Sequence, residues 1–151
     1  IGGINMKNTN NIRTSNIATG LKVEKRKHYS QMNASEIKSL YTKLLSVTTK
    51  NWRMSYHAEE RLVQKRIDAS RSRIVDVINH CEIIEYKTVD NGRYTCERVI
   101  VRDTTLINKN YNLNVVFDVT RGVVISVWLN HIKDRHSTLD MLIYDRELQI
   151  L

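Results

Sequence analysis

The stretch from Leu113 to Asn130 constrains the fold more than any other part of the chain. Leu113, Val115, Phe117 and Val119 alternate with other residues up to Thr120-Arg121-Gly122, and Val123, Ile125, Val127 and Leu129 alternate beyond it. A period of two reads as strand, and Gly122 suits the left-handed residue that closes a three-residue hairpin loop. Such a loop pairs Val119 with Val123, Phe117 with Ile125, Val115 with Val127 and Leu113 with Leu129, which collects the odd positions on one apolar face. The even positions, Asn114, Val116, Asp118, Val124, Ser126, Trp128 and Asn130, then make a mixed polar and aromatic face. A merely solvated sheet surface has no need of that mixture, so function is expected there.

A second hairpin precedes the first. Asn91-Gly92 is a strong two-residue turn signal between Cys81–Lys87 and Arg93–Arg102, because both central residues of that turn need positive φ. It pairs Asp90 with Arg93, and so Ile84 with Val99, Ile83 with Ile100, Glu85 with Arg98 and Cys81 with Arg102. Ile84, Tyr86, Val99 and Val101 join the buried face, while Arg98 and Arg102, two residues either side of Ile100, stand on the open one. In this register Cys81 and Cys96 lie beyond the ~7 Å reach of a disulfide, which fits a reducing compartment.

Helices are signalled upstream. Asn33 with Glu36 forms a capping box ahead of Ile37, Leu40, Tyr41, Leu44 and Leu45 at amphipathic spacing. Ser55 can cap a second helix to about Arg66, with Ala58, Leu62 and Val63 inward, and Asp68 or Ser70 a third, with Ile74, Val77 and Ile78 buried. Thr104 to Asn112 reads as a polar connecting loop, His131 to His136 as another, Ser137 with Asp140 as a capping box, and Glu147 to Leu151 as a last edge strand. The predicted class is α+β: N-terminal helices packed on one face of a four- to five-stranded antiparallel meander sheet. With 151 residues, 41% of them hydrophobic, the chain has material for one core. We assign it to residues 31–151, behind a basic flexible leader at 1–30, since six of the 24 basic residues but one of the 16 acidic ones fall within the first 28. No apolar run approaches the ~20 residues of a membrane span, and a cytoplasmic site of action without membrane association is expected.

Candidate chemistry is sparse. His57 and Arg61 are four apart on the second helix and share a face; an imidazole titrates near neutrality and a guanidinium clamps phosphate, the pair that proton transfer beside a phosphodiester requires. His131 or His136, in the loop leaving the last hairpin, can supply a second acid or base. Their spacing with Asp134 matches no metal-ligand pattern, and neither metal nor cofactor is expected. On the open sheet face, Arg98 and Arg102 suit phosphates, Trp128 suits base stacking, and Ser126, Asn114 and Asn130 suit hydrogen bonding.

The order Tyr56-His57-Ala58-Glu59-Glu60-Arg61, Arg66-Ile67-Asp68, a helix, Glu82-Ile83-Ile84-Glu85-Tyr86, Arg98-Val99-Ile100-Val101-Arg102 and Leu113-Asn114-Val115-Val116-Phe117-Asp118 resembles small bacterial and phage domains of the DUF4258 type. These are similar in layout to the barnase, EndoU, colicin and RelE-like (BECR) group of metal-independent RNases, which includes many toxins. The resemblance spans about residues 52 to 130. It implies a catalytic role for His57, phosphate binding by Arg61, and supporting roles for Ser126, Arg98 and Arg102. The expectation is a toxin-like ribonuclease or RNA-binding domain, with RNA and a cognate inhibitor as partners. The alternative is a noncatalytic phage or bacterial protein that binds and inhibits a host protein.

Overall fold

The computed structural model describes residues 22–134 and 140–151. Its frame is a six-stranded mixed sheet with three α-helices against one face. The strands are β1 (Val23–His28), β2 (Arg53–Met54), β3 (Cys81–Asp90), β4 (Thr95–Ile107), β5 (Tyr111–Asp118) and β6 (Val123–His131), in the spatial order β1-β3-β4-β5-β6-β2. The expected antiparallel meander is β3 to β6. It is wider than predicted because β1 adds to one edge antiparallel and β2 to the other in parallel with β6.

The sheet overlaps the residues assigned to the leader. Residues 23–28, placed in it by their charge, form an edge strand along β3, with Arg26 opposite Lys87 and His28 opposite Glu85. The run Glu24-Lys25-Arg26-Lys27-His28 carries no apolar alternation, and charged, Lys-rich edges are how sheets avoid pairing with other chains. Lys27 is nevertheless buried, its ammonium donating to Glu36 at 2.8 Å and to the Leu148 carbonyl at 3.0 Å. Residues 147–151, predicted as a strand, instead run as an irregular tail. Ile150 is buried in the core, and Ser39 donates to the Leu151 carbonyl.

The helices start where their caps demand. Helix α1 (Ala34–Thr48) opens on the Asn33–Glu36 capping box, α2 (Tyr56–Gln64) on Ser55, which accepts from the Ala58 amide, and α3 (Arg71–Asp76) on Ser70. Leu40, Leu44 and Val47 of α1, Ala58 of α2 and Ile74 of α3 meet Val99, Val101, Leu113, Val115, Phe117 and Val127 of the sheet in one core.

Two bulges separate the expected register from the real one. Between Ile83 and Glu85 the β3–β4 pairing slips, so Glu82 faces Arg102 and Ile83 faces Val101, while beyond the bulge Glu85 faces Ile100 and Lys87 faces Arg98. Asp90 pairs with Thr95, and Asn91–Tyr94 form a longer loop than the predicted two-residue turn, with Gly92 at φ +91°. Ile83 thus takes the core place expected of Ile84. In β5–β6, Leu113–Leu129 and Val115–Val127 pair as predicted, but a slip between Val116 and Phe117 brings Val124 opposite Phe117 and into the core. The Thr104–Asn112 loop is mostly strand: β4 and β5 extend to a tight turn where Asn108 and Lys109 take positive φ. Both cysteines are buried and free; Cys81 faces Asp103 and Cys96 faces Val89. No helix among the described residues is long and apolar enough to cross a membrane.

Candidate functional site: a cleft on the open sheet face

Register builds the site. Across the face away from the helices, Glu82 of β3, Arg102 of β4, Asn114 of β5 and Trp128 of β6 lie side by side in one row. At the strand spacing of about 4.8 Å they form a continuous strip. The next row is His28, Glu85, Ile100, Val116 and Ser126, and the one beyond it Arg26, Lys87, Arg98 and Asp118. The first row, with His28, Glu85 and Ile100 of the second, floors a cleft of about 910 Å³, the size of a small-ligand site. Because β1 stops at His28, opposite Glu85, the first four residues of β3 have no strand outside them, and the cleft runs over that edge to Ile37 and Tyr41 of α1. Ile132, Asp134 and Tyr144 close its other sides.

Hydrogen bonding inside the cleft is incomplete. The Asn114 side chain is 3% exposed, and its Oδ1 finds no donor. Glu85 is 5% exposed; its Oε1 accepts from the Tyr144 hydroxyl at 2.8 Å, while Oε2 has only the Arg26 Nε at 3.6 Å, beyond hydrogen-bond distance. Burial, and then the hydrogen bond to the Glu85 carboxylate, push the Tyr144 phenol up to about 12, so it stays a donor to Glu85 at neutral pH. His28 is packed against Tyr29 and Tyr144, with ring centroids 4.4 and 5.2 Å away. Its Nδ1 accepts from the Ser30 amide at 3.3 Å, which leaves the proton of a neutral ring on Nε2. Arg26 and Arg102 bring two positive charges to the lining, and Glu82, Glu85 and Asp134 three negative ones, so the cleft is not a basic basin. The additional basic groups, Lys87 and Arg98, stand in the row above.

The residues predicted from sequence divide sharply. Arg102 and Trp128 line the cleft, and Trp128 is half-buried there, in a lining that Tyr144 of the tail shares. Ser126 and Arg98 lie on the same face outside it. Arg98, predicted opposite Glu85, sits between Lys87 and Asp118, its Nε 3.9 Å from the Asp118 carboxylate. Asn130 is buried beside Asn112. His57 and Arg61 do not join the cleft: they stand on α2, whose Ala58 packs into the core on the covered face. His131 is likewise turned away, sharing the side of Leu129 and packing edge-on against Tyr111 at 5.2 Å. Its Nδ1 accepts from the Lys133 amide. His136 lies outside the described residues. The imidazole in the cleft is His28, hidden from sequence reasoning by the charge of β1, and Glu85 and Tyr144 arrive with it. Cys81, buried near the start of β3, has its thiol pushed up to about 12 by burial and is no nucleophile.

No protein-family model, curated protein or solved structure matches this chain. The likeness to DUF4258 domains accordingly rests on the motif residues quoted above.

Proposed function

We propose that the protein binds single-stranded RNA across the open face of its sheet, with one unpaired base held in the cleft. The carrying observation is the buried Oδ1 of Asn114, left without a donor, beside the half-buried Trp128 in the same cross-strand row. A π-face next to an unfilled acceptor suits a stacked base that donates from its edge. Arg102 flanks that position, and Arg98, four residues along the same strand and so about 13 Å away, offers a second phosphate contact. The test is titration of short single-stranded RNAs, followed by anisotropy. Loss of one stacked base is worth about 1–3 kcal/mol, so Trp128→Ala is expected to bind about ten- to hundredfold more weakly. Equal affinity of parent and variant refutes the reading.

A toxin-like, metal-independent ribonuclease of the BECR layout is the sharper form of this proposal. It needs an imidazole at the bound strand, and His28 is that group in place of His57 or His131. On this reading His28→Ala stops RNA cleavage and His57→Ala does not; binding without cleavage by the parent leaves a binding module. The exposed Met141-Leu142-Ile143 turn beside Tyr144 favours a second reading, capture of a host protein, which predicts a stable complex in pull-down with RNA intact.

A further inference from the structure

The RNA-binding reading says nothing about sugar, yet the cleft carries a group that can read it. We propose that Glu85 makes the cleft selective for RNA over DNA by accepting a hydrogen bond from a ribose 2′-hydroxyl at Oε2; this rests on the single-strand binding proposed above. Glu85 sits on the interior strand β3, 5% exposed, with Oε1 committed to Tyr144 and Oε2 without a hydrogen-bond donor. Arg26 at 3.6 Å balances its charge but does not satisfy the oxygen. Glu85 lines the cleft, but Oε2 itself is buried, so a turn of the side chain toward the cleft is what lets a ligand supply the donor it lacks.

The chemistry of a polynucleotide leaves few choices. Within an internal nucleotide the phosphate oxygens are anionic acceptors that Glu85 repels, the 3′ and 5′ oxygens are esterified, and the ring oxygen only accepts. Outside the base, the 2′-hydroxyl is the one donor. The base itself is placed elsewhere, on Trp128 and Asn114. Glu85 lies three strands from Trp128 and one row over, a lateral span of about 14 Å at the usual strand spacing. A stacked nucleotide and its neighbour cover that distance, so the sugar that meets Glu85 belongs to one of those two. His28, opposite Glu85 in the β1–β3 register, walls the same end of the cleft.

The experiment varies the ligand, so that protein folding is not at issue. One sequence is titrated as RNA, as 2′-fluoro RNA, which keeps the ribose pucker but lacks the donor, and as DNA containing uracil, with the RNA checked intact on a gel. Leaving one buried acceptor unpaired predicts about ten- to hundredfold weaker binding of the 2′-fluoro and deoxy strands. Single 2′-fluoro substitutions should place most of that loss at one position. Tyr144→Phe, which leaves Oε2 in place, keeps the discrimination, and Glu85→Ala brings the three ligands to within about twofold of each other. Equal binding of RNA and 2′-fluoro RNA by the parent overturns the inference and leaves the RNA-binding reading standing. Failure of every strand to bind removes that reading itself.

Discussion

Glu36→Gln should cost far more than a surface charge change of the same kind. Lys27 and Glu36 have side chains only 7% and 14% exposed, with Nζ and Oε2 2.8 Å apart. The pair ties edge strand β1 to the first turn of α1, and the same ammonium holds the tail through the Leu148 carbonyl. Glutamine keeps the shape of Glu36 and can still accept from the Asn33 amide, so the capping box survives. What is lost is the countercharge of a buried ammonium. Removing one partner of a buried pair costs about 3–5 kcal/mol, and the residual solvent access here reduces that to about 2–4 kcal/mol. For a domain of this size the melting temperature should fall by about 5–15 °C. The double variant Lys27→Met/Glu36→Gln, which removes both charges, is expected to be less destabilised than Glu36→Gln. Urea unfolding at neutral pH measures both. Burial alone would raise the Glu36 carboxyl, but the Lys27 hydrogen bond, the Asn33 amide and the Lys27 charge outweigh it and hold it below its ordinary value. Its contribution is therefore full above about pH 4.5 and lost as pH falls through the folded-state value, a dependence that Glu36→Gln should flatten. A Glu36→Gln protein within about 0.5 kcal/mol of the parent, or a Lys27→Met/Glu36→Gln protein as unstable as Glu36→Gln, would refute the argument.

Two further outcomes follow from other parts of the fold. His80 lies between Asp76, 3.0 Å from Nε2, and the fully buried Asp103, 2.7 Å from Nδ1, with Arg73 on the other Asp103 oxygen. The Asp76 hydrogen bond, against a desolvation cost and with help from Asp103, raises its pKa; stabilisation is full below about pH 6.5 and fades as pH rises through the higher folded value. Urea midpoints of the parent should drop across that window relative to His80→Gln, and parallel profiles would exclude the contribution. Gly122→Ala should cost about 1–2 kcal/mol from the backbone alone, because φ is +71° and the nearest atom to an added Cβ is the Trp52 Cα at 4.0 Å; an unchanged urea midpoint would contradict it.

What was legible in the sequence was whatever depended on local periodicity. The Asn33, Ser55 and Ser70 caps, the inward stripes of the helices and the deep pairing of Leu113 with Leu129 all follow from side-chain spacing, and the structure has them. Arg102 and Trp128 line the cleft for the same reason, since parity put them on the open face. The bulges at Ile84 and Ile125 were not legible, because nothing local distinguishes an extra residue in a strand from a regular one. Tertiary packing selects them, by giving Ile83 and Val124 better burial than Ile84 and Ile125. The edge strand β1 was hidden because its partners are mostly charged side chains and backbone. His28, Glu85 and Tyr144 come together only through that strand and the tail, from positions 28, 85 and 144. His57 lies away from the cleft for the opposite reason: its helical spacing with Arg61 is genuine, but the helix packs on the other side of the sheet.

The slip beside Ile84 decides which chemistry faces the ligand. Glu82 and Glu85 are three residues apart, and in a regular strand that odd interval would send them to opposite surfaces. The additional residue brings both of them to the lining of the same cleft. Pairing Ile84 regularly, with the register beyond Glu85 kept, would turn Glu82 toward the helices and Ile83 toward solvent, an exchange of acid for oil, whereas deleting Ile84 leaves Glu82, Ile83 and Glu85 in plain alternation on their present faces. The acidic character of this wall therefore depends on Ile84 staying outside the ladder, one unpaired residue setting the outlook of the two before it.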